Sequence, residues 1–328
     1  MSTFLYKMKN FYNLQCIISI HIAIAKIMQK YYLKYIEVKK GLNIMNIKLN
    51  NGYEMPVLGL GTFLSPSDEC YNACLFALRH GYRHIDTAQN YKNEEAVGKA
   101  IRDSGVPRNE IFITSKLQIT RFGKNNTRKA VFKSLKDLGV DYIDLYLMHW
   151  PSSNYEFNLE TYHALEELVK EGYIRSIGVS NFQIHHLEHL LPYVTIKPVT
   201  NQIELHPGLS QVPLVKFCET YDIIVTSYGP FMKGEAFTMP YINELAKKYS
   251  KSPAQICIRY LIDRGIIAIP KSVHENRIKE NFDVFDFKLT NDEINNILKL
   301  NQGKRVYLDP DNRPGILTEE LPYFNEDF

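Results

Sequence analysis

Residues 143–179 read IDLYLMHWPSSNYEFNLETYHALEELVKEGYIRSIGV, and this stretch decides the fold. The apolar run Ile143–His149 predicts a buried strand. In Leu159–Lys170 the apolar residues recur at spacings of three and four, which predicts a helix. A second apolar run, Ile174–Val179, predicts another strand. This succession predicts two parallel strands with the helix packed outside them.

The same alternation extends in both directions from this unit. The predicted strands are Val57–Leu60, His84–Asp86, Ile111–Lys116, Ile143–His149, Ile174–Val179, Val199–Glu204, Ile223–Tyr228 and Ile266–Pro270. The predicted helices are Asp68–His80, Glu94–Ser104, Thr127–Leu138, Leu159–Lys170, Ile184–Leu191, Val212–Tyr221, Ala254–Asp263, Asn276–Phe282 and one that starts at Thr290. Eight strands favour closure into a (β/α)₈ barrel over an open doubly wound sheet.

A hairpin is predicted in front of the first strand. Ile47–Leu49 and Met55–Leu58 flank the dipeptide Asn51-Gly52, which is typical of a type I′ turn. The segment that follows, Gly59-Leu-Gly-Thr62, resembles the start of a dinucleotide-binding fingerprint, but its third glycine is missing. We therefore favour the barrel, in which these glycines let the first strand turn tightly toward a ligand.

The composition is that of an ordinary globular protein, with 328 residues of which 45% are hydrophobic and 23% charged. A formal net charge of +3 without long basic runs gives no reason to expect nucleic acid or an anionic surface as partner. The five cysteines are odd in number and contain no C-x-x-C pair, which indicates reduced thiols in a cytoplasmic protein. Cys70 and Cys74 lie one helical turn apart, but we expect no metal.

The first 44 residues differ from the rest and contain no acidic residue before Glu37. Their apolar run, Leu14–Met28, is too short to span a bilayer. Two interpretations stay open, an organelle-targeting segment and an appended N-terminus. We predict an extension over residues 1–44 and a monomeric barrel domain over 45–328 that starts at Met45.

Polar residues end several adjacent strands of the predicted barrel. Asp86 ends the second strand and Tyr91 follows it, Lys116 ends the third, and His149-Trp150 ends the fourth. Taken singly, these residues are ordinary: a helix cap, a solvated lysine and a core histidine. Together they lie at the carboxyl ends of the strands, where barrels carry their active sites.

The chain resembles the aldo-keto reductase family in five stretches that recur in order from about Met45 to the C-terminus. They are Gly81-Tyr-Arg-His-Ile-Asp-Thr-Ala-Gln-Asn-Tyr91, Ile113-Thr-Ser-Lys116, Leu145-Tyr-Leu-Met-His-Trp-Pro151, Ile177-Gly-Val-Ser-Asn-Phe182 and Ile269-Pro-Lys-Ser272. The resemblance implies a reductase that transfers hydride from NADPH to aldehydes or ketones. It implies Tyr91 as proton donor, Lys116 and Asp86 as residues that tune it, and His149 as the residue that positions the carbonyl.

Physical chemistry agrees with these roles. A hydride that adds to a carbonyl carbon leaves negative charge on the oxygen, which needs a nearby proton donor. A free tyrosine has a pKa of about 10. We expect the Lys116 ammonium to lower the pKa of Tyr91, with Asp86 holding the ammonium in place.

The resemblance also implies the residues that bind the cofactor. Ser180, Asn181 and Gln202 match positions that hold the carboxamide, and Tyr228 matches the position that stacks on the nicotinamide ring. The remaining implied contacts are Gly61, Thr62, Asp86, Lys271, Ser272, Arg277, Glu280 and Asn281. Two cations beside a hydroxyl suit a 2′-phosphate, which favours NADP over NAD.

An apolar wall of Phe63, Trp150, Phe231 and Tyr323 is expected to receive the substrate, together with His149. The loops after His149 and Tyr228 are short, as in microbial and plant members, whereas the ending Leu321–Phe328 is similar to animal members.

Three other hypotheses remain. One is an NADPH-binding regulatory subunit on the same barrel, and another is a hydrolase that pairs Asp86 with Glu204. The third, a metal site at Glu204-Leu-His206, lacks a third ligand in the sequence, and we expect no metal there.

Overall fold

A computed structural model describes residues 45–312 of the chain. The predicted extension over residues 1–44, with Cys16, and the predicted wall residue Tyr323 lie outside the described residues. Within residues 45–312, no helix is long and apolar enough to cross a membrane.

The strands follow the predicted alternation closely. They are β1 (Asn46–Lys48), β2 (Glu54–Pro56), β3 (Leu60–Gly61), β4 (His84–Asp86), β5 (Phe112–Leu117), β6 (Ile143–Met148), β7 (Ile174–Ser180), β8 (Thr200–Glu204), β9 (Ile224–Tyr228) and β10 (Ile267–Ala268). The last eight form one sheet in which every neighbouring pair is parallel and follows chain order. The prediction of eight parallel strands is confirmed.

The seam between the first and last strands of this sheet departs from the predicted closed barrel. Instead of a continuous ladder, isolated parallel bridges join Leu58 to Ala268 and Gly61 to Lys271. Two hydrogen bonds reinforce them, from Gly59 N to Ala268 O at 2.9 Å and from Gly61 N to Pro270 O at 3.1 Å. By strand pairing the sheet is therefore curled but open, because β3 and β10 are only two residues long each.

Gly59, which precedes β3, and Gly61 within it allow close packing against β4 and across the seam. A Cβ at Gly59 would lie 2.3 Å from Nδ1 of His84, and one at Gly61 would lie 2.9 Å from the Ile269 carbonyl oxygen. Neither side chain fits, so these positions need glycine for the approach of neighbouring strands. This packing accounts for the glycine pair without a dinucleotide-binding loop.

The helices pack outside the sheet. They are α1 (Ser67–Arg79), α2 (Glu94–Ser104), α3 (Lys124–Leu138), α4 (Tyr155–Lys170), α5 (Ile184–Leu190), α6 (Val212–Thr220), α7 (Pro240–Tyr249), α8 (Pro253–Asp263), α9 (Glu275–Phe282) and α10 (Asn291–Leu298). The predicted acidic start of the last helix is confirmed, since Thr290 and Glu293 form a capping box.

Helix α7 was not predicted. It lies between β9 and α8, where the alternation calls for a single helix, and it begins at Pro240. Ile242, Leu245 and Ala246 are its buried residues, which is a helical spacing within only ten residues. A short insertion of this kind is difficult to separate from a loop by periodicity alone.

The hairpin that precedes the sheet is confirmed, because β1 and β2 pair antiparallel. The prediction of a type I′ turn at Asn51-Gly52 is wrong. Gly52 N donates to Leu49 O at 2.9 Å, and Gly52 has φ +91° while Asn51 is not among the residues with positive φ. A type I′ turn requires positive φ at both central residues, so this connection is the longer kind that ends in a glycine.

Two apolar clusters alternate along the strands. On β6, Leu145 and Leu147 belong to one cluster, while Tyr146 and Met148 belong to the other. The period of two means that one face of the sheet packs inside the curl and the other against the helices. Leu49 and Met55 of the hairpin join the first cluster, so the hairpin closes one end of the curl.

Candidate active site

Asp86, Tyr91, Lys116 and His149 come together at the carboxyl ends of β4, β5 and β6. Asp86 is the last residue of β4, and Tyr91 lies in the short 3₁₀ turn that follows it. Lys116 is the last but one residue of β5, and His149 follows β6 directly. Because all three strands are parallel, their ends lie at one edge of the sheet.

Lys116 is the centre of this group. Its Nζ donates to Asp86 Oδ1 at 2.5 Å, to Thr87 O at 2.8 Å and to the Tyr91 hydroxyl at 3.3 Å. Its side chain is fully buried and that of Asp86 is 3% exposed. A solvated lysine and a helix cap are therefore both excluded as interpretations of these residues.

Asp86 is also bound by a residue from the opposite side of the curled sheet. Its Oδ2 accepts a hydrogen bond of 2.6 Å from Nε2 of Gln202, which lies on β8. Burial raises the pKa of Asp86 and lowers the pKa of Lys116, and the attraction within the pair opposes both shifts. Satisfied on both carboxylate oxygens, Asp86 fixes the ammonium in one place.

Tyr91 behaves differently from the expectation. Burial first, and the charge of Asp86 second, raise the pKa of Tyr91 well above its ordinary value. The predicted lowering is wrong for this structure, because burial penalises the charged phenolate and the Asp86 carboxylate adds to that effect. The phenol is therefore protonated at neutral pH. Its ring lies between Phe63, at a centroid distance of 5.1 Å, and His149, at 5.6 Å.

A second polar group joins the ends of β7, β8 and β9. Ser180 Oγ donates to Gln202 O at 2.8 Å, Asn181 Nδ2 donates to His149 O at 2.9 Å, and the Tyr228 hydroxyl donates to Asn181 Oδ1 at 2.7 Å. Asn181 has φ +65°, a conformation that is strained for a residue other than glycine and that often marks functional sites. The structure thus brings together the four residues matched to the nicotinamide end, next to Tyr91 and His149.

The residues matched to the 2′-phosphate (Lys271, Ser272 and Arg277) and to the adenine (Glu280 and Asn281) lie on and just before α9. Lys271, Arg277 and Glu280 are exposed, whereas Ser272 and Asn281 are buried. Ser272 Oγ accepts a hydrogen bond from His274 N at 3.1 Å, next to the N-terminus of the helix. The bridge between Gly61 and Lys271 links this group to β3. Thr62 Oγ1 in turn donates to Asp86 O at 3.0 Å.

The predicted apolar wall is distributed around the site. Phe63 is 43% exposed and contacts Tyr91, while Trp150 is half-buried with its ring 6.4 Å from that of His149. Phe231 lies in the loop after β9 and packs on Phe237 at 5.4 Å. Phe63 and Trp150 therefore border the Tyr91–His149 pair on different sides.

Tyr307 is a site residue that sequence analysis missed. It lies beyond α10, and its ring meets that of Tyr228 edge-on at 5.4 Å and an angle of 81°. Tyr307 also contributes to the raised pKa of Tyr91, which places it near the phenol. Its segment follows the last repeat unit, so the strand–helix alternation carries no signal for it.

The candidate metal ligands Cys70, Cys74, Glu204 and His206 are all buried side chains. Cys70, Cys74, Cys218 and Cys257 are buried free thiols. Glu204 Oε1 accepts a hydrogen bond from His206 Nε2 at 3.0 Å.

A surface group of His185, His186 and Asp311 has ligand atoms within 4.8 Å of one another. However, His186 Nδ1 accepts from Gln183 N at 3.1 Å, so a neutral His186 carries its proton on the nitrogen that faces Asp311.

Comparisons with known proteins agree with this geometry. A model of the Aldo/keto reductase family matches residues 57–302. The chain is 49% identical over 267 residues to "Methylglyoxal reductase DkgA" of Escherichia coli (strain K12), a match that covers 81% of this chain and 96% of that protein.

Solved structures give the same result. An aldo-keto reductase from a Medee basin deep-sea metagenome library is 47% identical, with a TM-score of 0.80, over 81% of this chain and 99% of that one. The Bombyx mori aldo-keto reductase in complex with NADP is 39% identical, with a TM-score of 0.78, over 83% and 97% of the two chains.

Proposed function

Because the chain belongs to the aldo/keto reductase family, it is an NADPH-dependent carbonyl reductase, and we propose that Tyr91 is its proton donor and that small oxoaldehydes are among its substrates. The observation that carries the assignment of Tyr91 is the position of Lys116 Nζ. It donates to Asp86 and to the Tyr91 hydroxyl at the same time.

The four residues at the ends of β4, β5 and β6 divide the chemistry between them. Bound NADPH supplies the hydride that adds to the carbonyl carbon. The Tyr91 hydroxyl donates its proton to the carbonyl oxygen, and the product is an alcohol. The Lys116 ammonium then stabilises the phenolate through the hydrogen bond it already makes, while Asp86 holds the ammonium in place. His149, whose ring lies 5.6 Å from that of Tyr91, orients the carbonyl.

The cofactor is proposed to lie across the carboxyl ends of β7–β10. Ser180, Asn181 and Gln202 offer hydroxyl and amide groups for the carboxamide, next to the ring of Tyr228. The exposed cations Lys271 and Arg277 at the start of α9 suit a 2′-phosphate, and a helix N-terminus adds favourable partial charge. The other proposed contacts are Gly61, Thr62, Asp86, Ser272, Glu280 and Asn281.

Substrates are proposed to bind between Phe63 and Trp150, with Phe231 at the rim. The Escherichia coli relative is named a methylglyoxal reductase, and a small oxoaldehyde of that class fits a site whose polar groups converge on one oxygen. The aromatic rings at the border suit aldehydes and ketones with apolar substituents too.

The remaining proposals concern the whole chain. We propose that residues 45–328 form the catalytic domain, that the seam closes it as a barrel, and that residues 1–44 are an extension without a catalytic role. The four free, buried thiols of residues 45–312 suit a reducing compartment, so we propose a cytoplasmic monomer.

The two rival functions are not supported. The relatives carry names of reductases, which gives no support to a regulatory subunit. A hydrolase would need accessible carboxylates at Asp86 and Glu204. The first is bound to Lys116 and Gln202, and the side chain of the second is fully buried.

The decisive experiment measures NADPH oxidation with a panel of methylglyoxal, aromatic aldehydes, ketones and sugars. We expect carbonyl-dependent oxidation with methylglyoxal and with at least one aromatic aldehyde. NADPH binding without oxidation across the whole panel would instead favour a regulatory subunit.

A further inference from the structure

The Glu204–His206 pair is a buried motif that the proposed mechanism does not use. Glu204 ends β8, two residues after Gln202, so both side chains lie on the same face of the strand. The Glu204 side chain has no exposed surface, and neither has that of His206. A buried carboxylate is costly unless it is paired and hydrogen-bonded, so its partners are informative.

Those partners lie in the segment that follows α10, residues 301–309, which we name the strap. Glu204 Oε1 accepts a hydrogen bond of 2.6 Å from Val306 N in addition to that of His206. Arg305 brings its Nη1 to 3.9 Å from Glu204 Oε2. Glu204 Oε1 is thus bound by His206, which follows β8, and by Val306 of the strap, whereas Oε2 has Arg305 as a longer ion-pair partner and no hydrogen bond within residues 45–312.

Further contacts hold the strap to the mouth of the sheet. The amides of Gln302 and Lys304 both donate to Gly208 O, at 3.0 and 3.1 Å, and the Lys304 ammonium pairs with Glu235. Asn301 Oδ1 accepts from Ser210 N at 2.9 Å. Gly208 and Ser210 are buried as well, but Glu204 contributes the buried charge among these contacts, and its partner Val306 directly precedes Tyr307.

Tyr307 passes this anchoring on to Tyr228. Its ring packs edge-on against Tyr228, and a Cβ at Gly229 would come within 2.5 Å of it. Gly229 also has φ +63°, so the loop after β9 needs glycine at this point for space and for conformation. Lys233 lies over the ring of Tyr307 at 4.8 Å. The half-buried ring of Tyr307 therefore packs from the strap against the loop after β9.

We propose that Glu204 is a positioning residue for the cofactor, because it anchors the strap through Val306 and Arg305 and so holds Tyr307 as a brace on Tyr228. The inference rests on the proposed function, in which the nicotinamide ring stacks on Tyr228. Glu204 is also the register partner of Tyr228 on β9, and the proposal is that its effect on NADPH affinity passes through Tyr307.

A double-mutant cycle tests this inference on the full-length protein. The variants are Glu204→Gln, Tyr307→Ala and their combination, and the measured quantity is the NADPH dissociation constant from fluorescence titration. We expect each single change to weaken NADPH by about three- to tenfold, the range that an aromatic pair contributes. The combined variant should have the same NADPH dissociation constant as the single variant that binds NADPH less tightly, since the two changes remove the same brace.

Two controls separate positioning from simple destabilisation. Glu166→Gln alters another buried glutamate, which accepts from the amides of Thr195 and Ile196 away from the site, so it should lower the melting temperature without changing NADPH affinity. Tyr307→Phe keeps the ring and should therefore weaken NADPH less than Tyr307→Ala does.

Three outcomes would overturn the inference. They are Glu204→Gln with unchanged affinity, single effects that multiply in the combined variant, and a Glu166→Gln variant that loses the same affinity as Glu204→Gln. If Glu204→Gln does not fold, Tyr307→Ala alone must still weaken NADPH. Failure of the unaltered protein to oxidise NADPH with any carbonyl would instead contradict the proposed function.

Discussion

Lys116 and Arg277 are both cations of the proposed active site, yet the first is fully buried and the second is exposed at the start of α9. Lys116 has three acceptors within the protein, one of them the carboxylate of Asp86. The chemical end of the site is therefore preorganised by internal bonds, and its charges are costly to disturb. The phosphate end is wet, so its charges act on a ligand at modest and salt-dependent strength.

From this comparison we expect the largest loss of turnover from Tyr91→Phe at the buried end of the site, with no loss of stability. Tyr91→Phe removes the hydroxyl but keeps the ring contacts with Phe63 and His149. Because general acid catalysis contributes about 10²–10⁴-fold, kcat should fall by at least that factor. Melting temperature and NADPH affinity, measured on the same preparation, should stay unchanged. Near-normal turnover would remove Tyr91 as the acid.

Asp86→Asn should reduce both turnover and stability, because it leaves the Lys116 ammonium buried without its counter-charge. The free energy of unfolding, measured with urea, should fall by about 3–5 kcal/mol. A variant that combines Asp86→Asn with Lys116→Met should regain much of this stability and remain inactive. If Asp86→Asn were as stable as the unaltered protein, the buried Asp86–Lys116 pair would not be costly to disturb, and the contrast with the exposed phosphate end would fail.

At the exposed end, Arg277→Ala should affect the cofactor alone. Loss of a charge-assisted hydrogen bond of roughly 1.5–3 kcal/mol weakens NADPH by about ten- to a hundredfold. NADH, which lacks the 2′-phosphate, should bind as before, and so should both cofactors to the control Lys279→Ala on the same exposed helix. An equal loss for NADPH and NADH would make the arginine structural.

The raised pKa of Tyr91 predicts a flat pH profile for reduction. The reaction needs the protonated phenol, and burial keeps the pKa of Tyr91 well above its ordinary value of 10.0. Protonation of Tyr91 is therefore complete from pH 7 to 9, and kcat should not decline in this window through loss of its proton. A decline there with one apparent pKa, absent from the residual activity of Tyr91→Phe, would contradict the shift.

The smallest effect is expected from removing residues 1–44, which precede every residue of the proposed site. A chain that begins at Met45 should keep the melting temperature, the NADPH affinity and the kcat of the full-length protein, because the eight strand–helix units and all the proposed site residues follow Met45 in the sequence. Loss of folding or of activity in the shortened chain would give residues 1–44 a role in the barrel.

Much of the site was predictable from sequence because parallel strands place their carboxyl ends together. Asp86, Lys116 and His149 close their strands in the sequence, and the structure brings all three to one edge. The nicotinamide residues were predictable for the same reason, with resemblance supplying their roles. Local patterns suffice when a position depends only on the order of the strands.

What could not be predicted depends on contacts between distant segments. Tyr307 contacts Tyr228 from the strap, which Glu204 helps to hold, and no spacing in the sequence indicates that contact. The direction of the pKa shift of Tyr91 was missed because it depends on burial and on Asp86, which are properties of the folded site. Helix α7 was missed because it interrupts the alternation.

The sparse seam also bears on how the chain folds. Every other strand pair of the sheet joins neighbours in the sequence, so these pairs can form locally as the polypeptide emerges. The bridges from Leu58 to Ala268 and from Gly61 to Lys271 join opposite ends of the domain, which makes closure a late event. Until Ala268 has been synthesised, the edge of β3 stays unpaired and offers a template for association with other chains. A ribosome that stalls within α8 would release an aggregation-prone product that already contains most of the site.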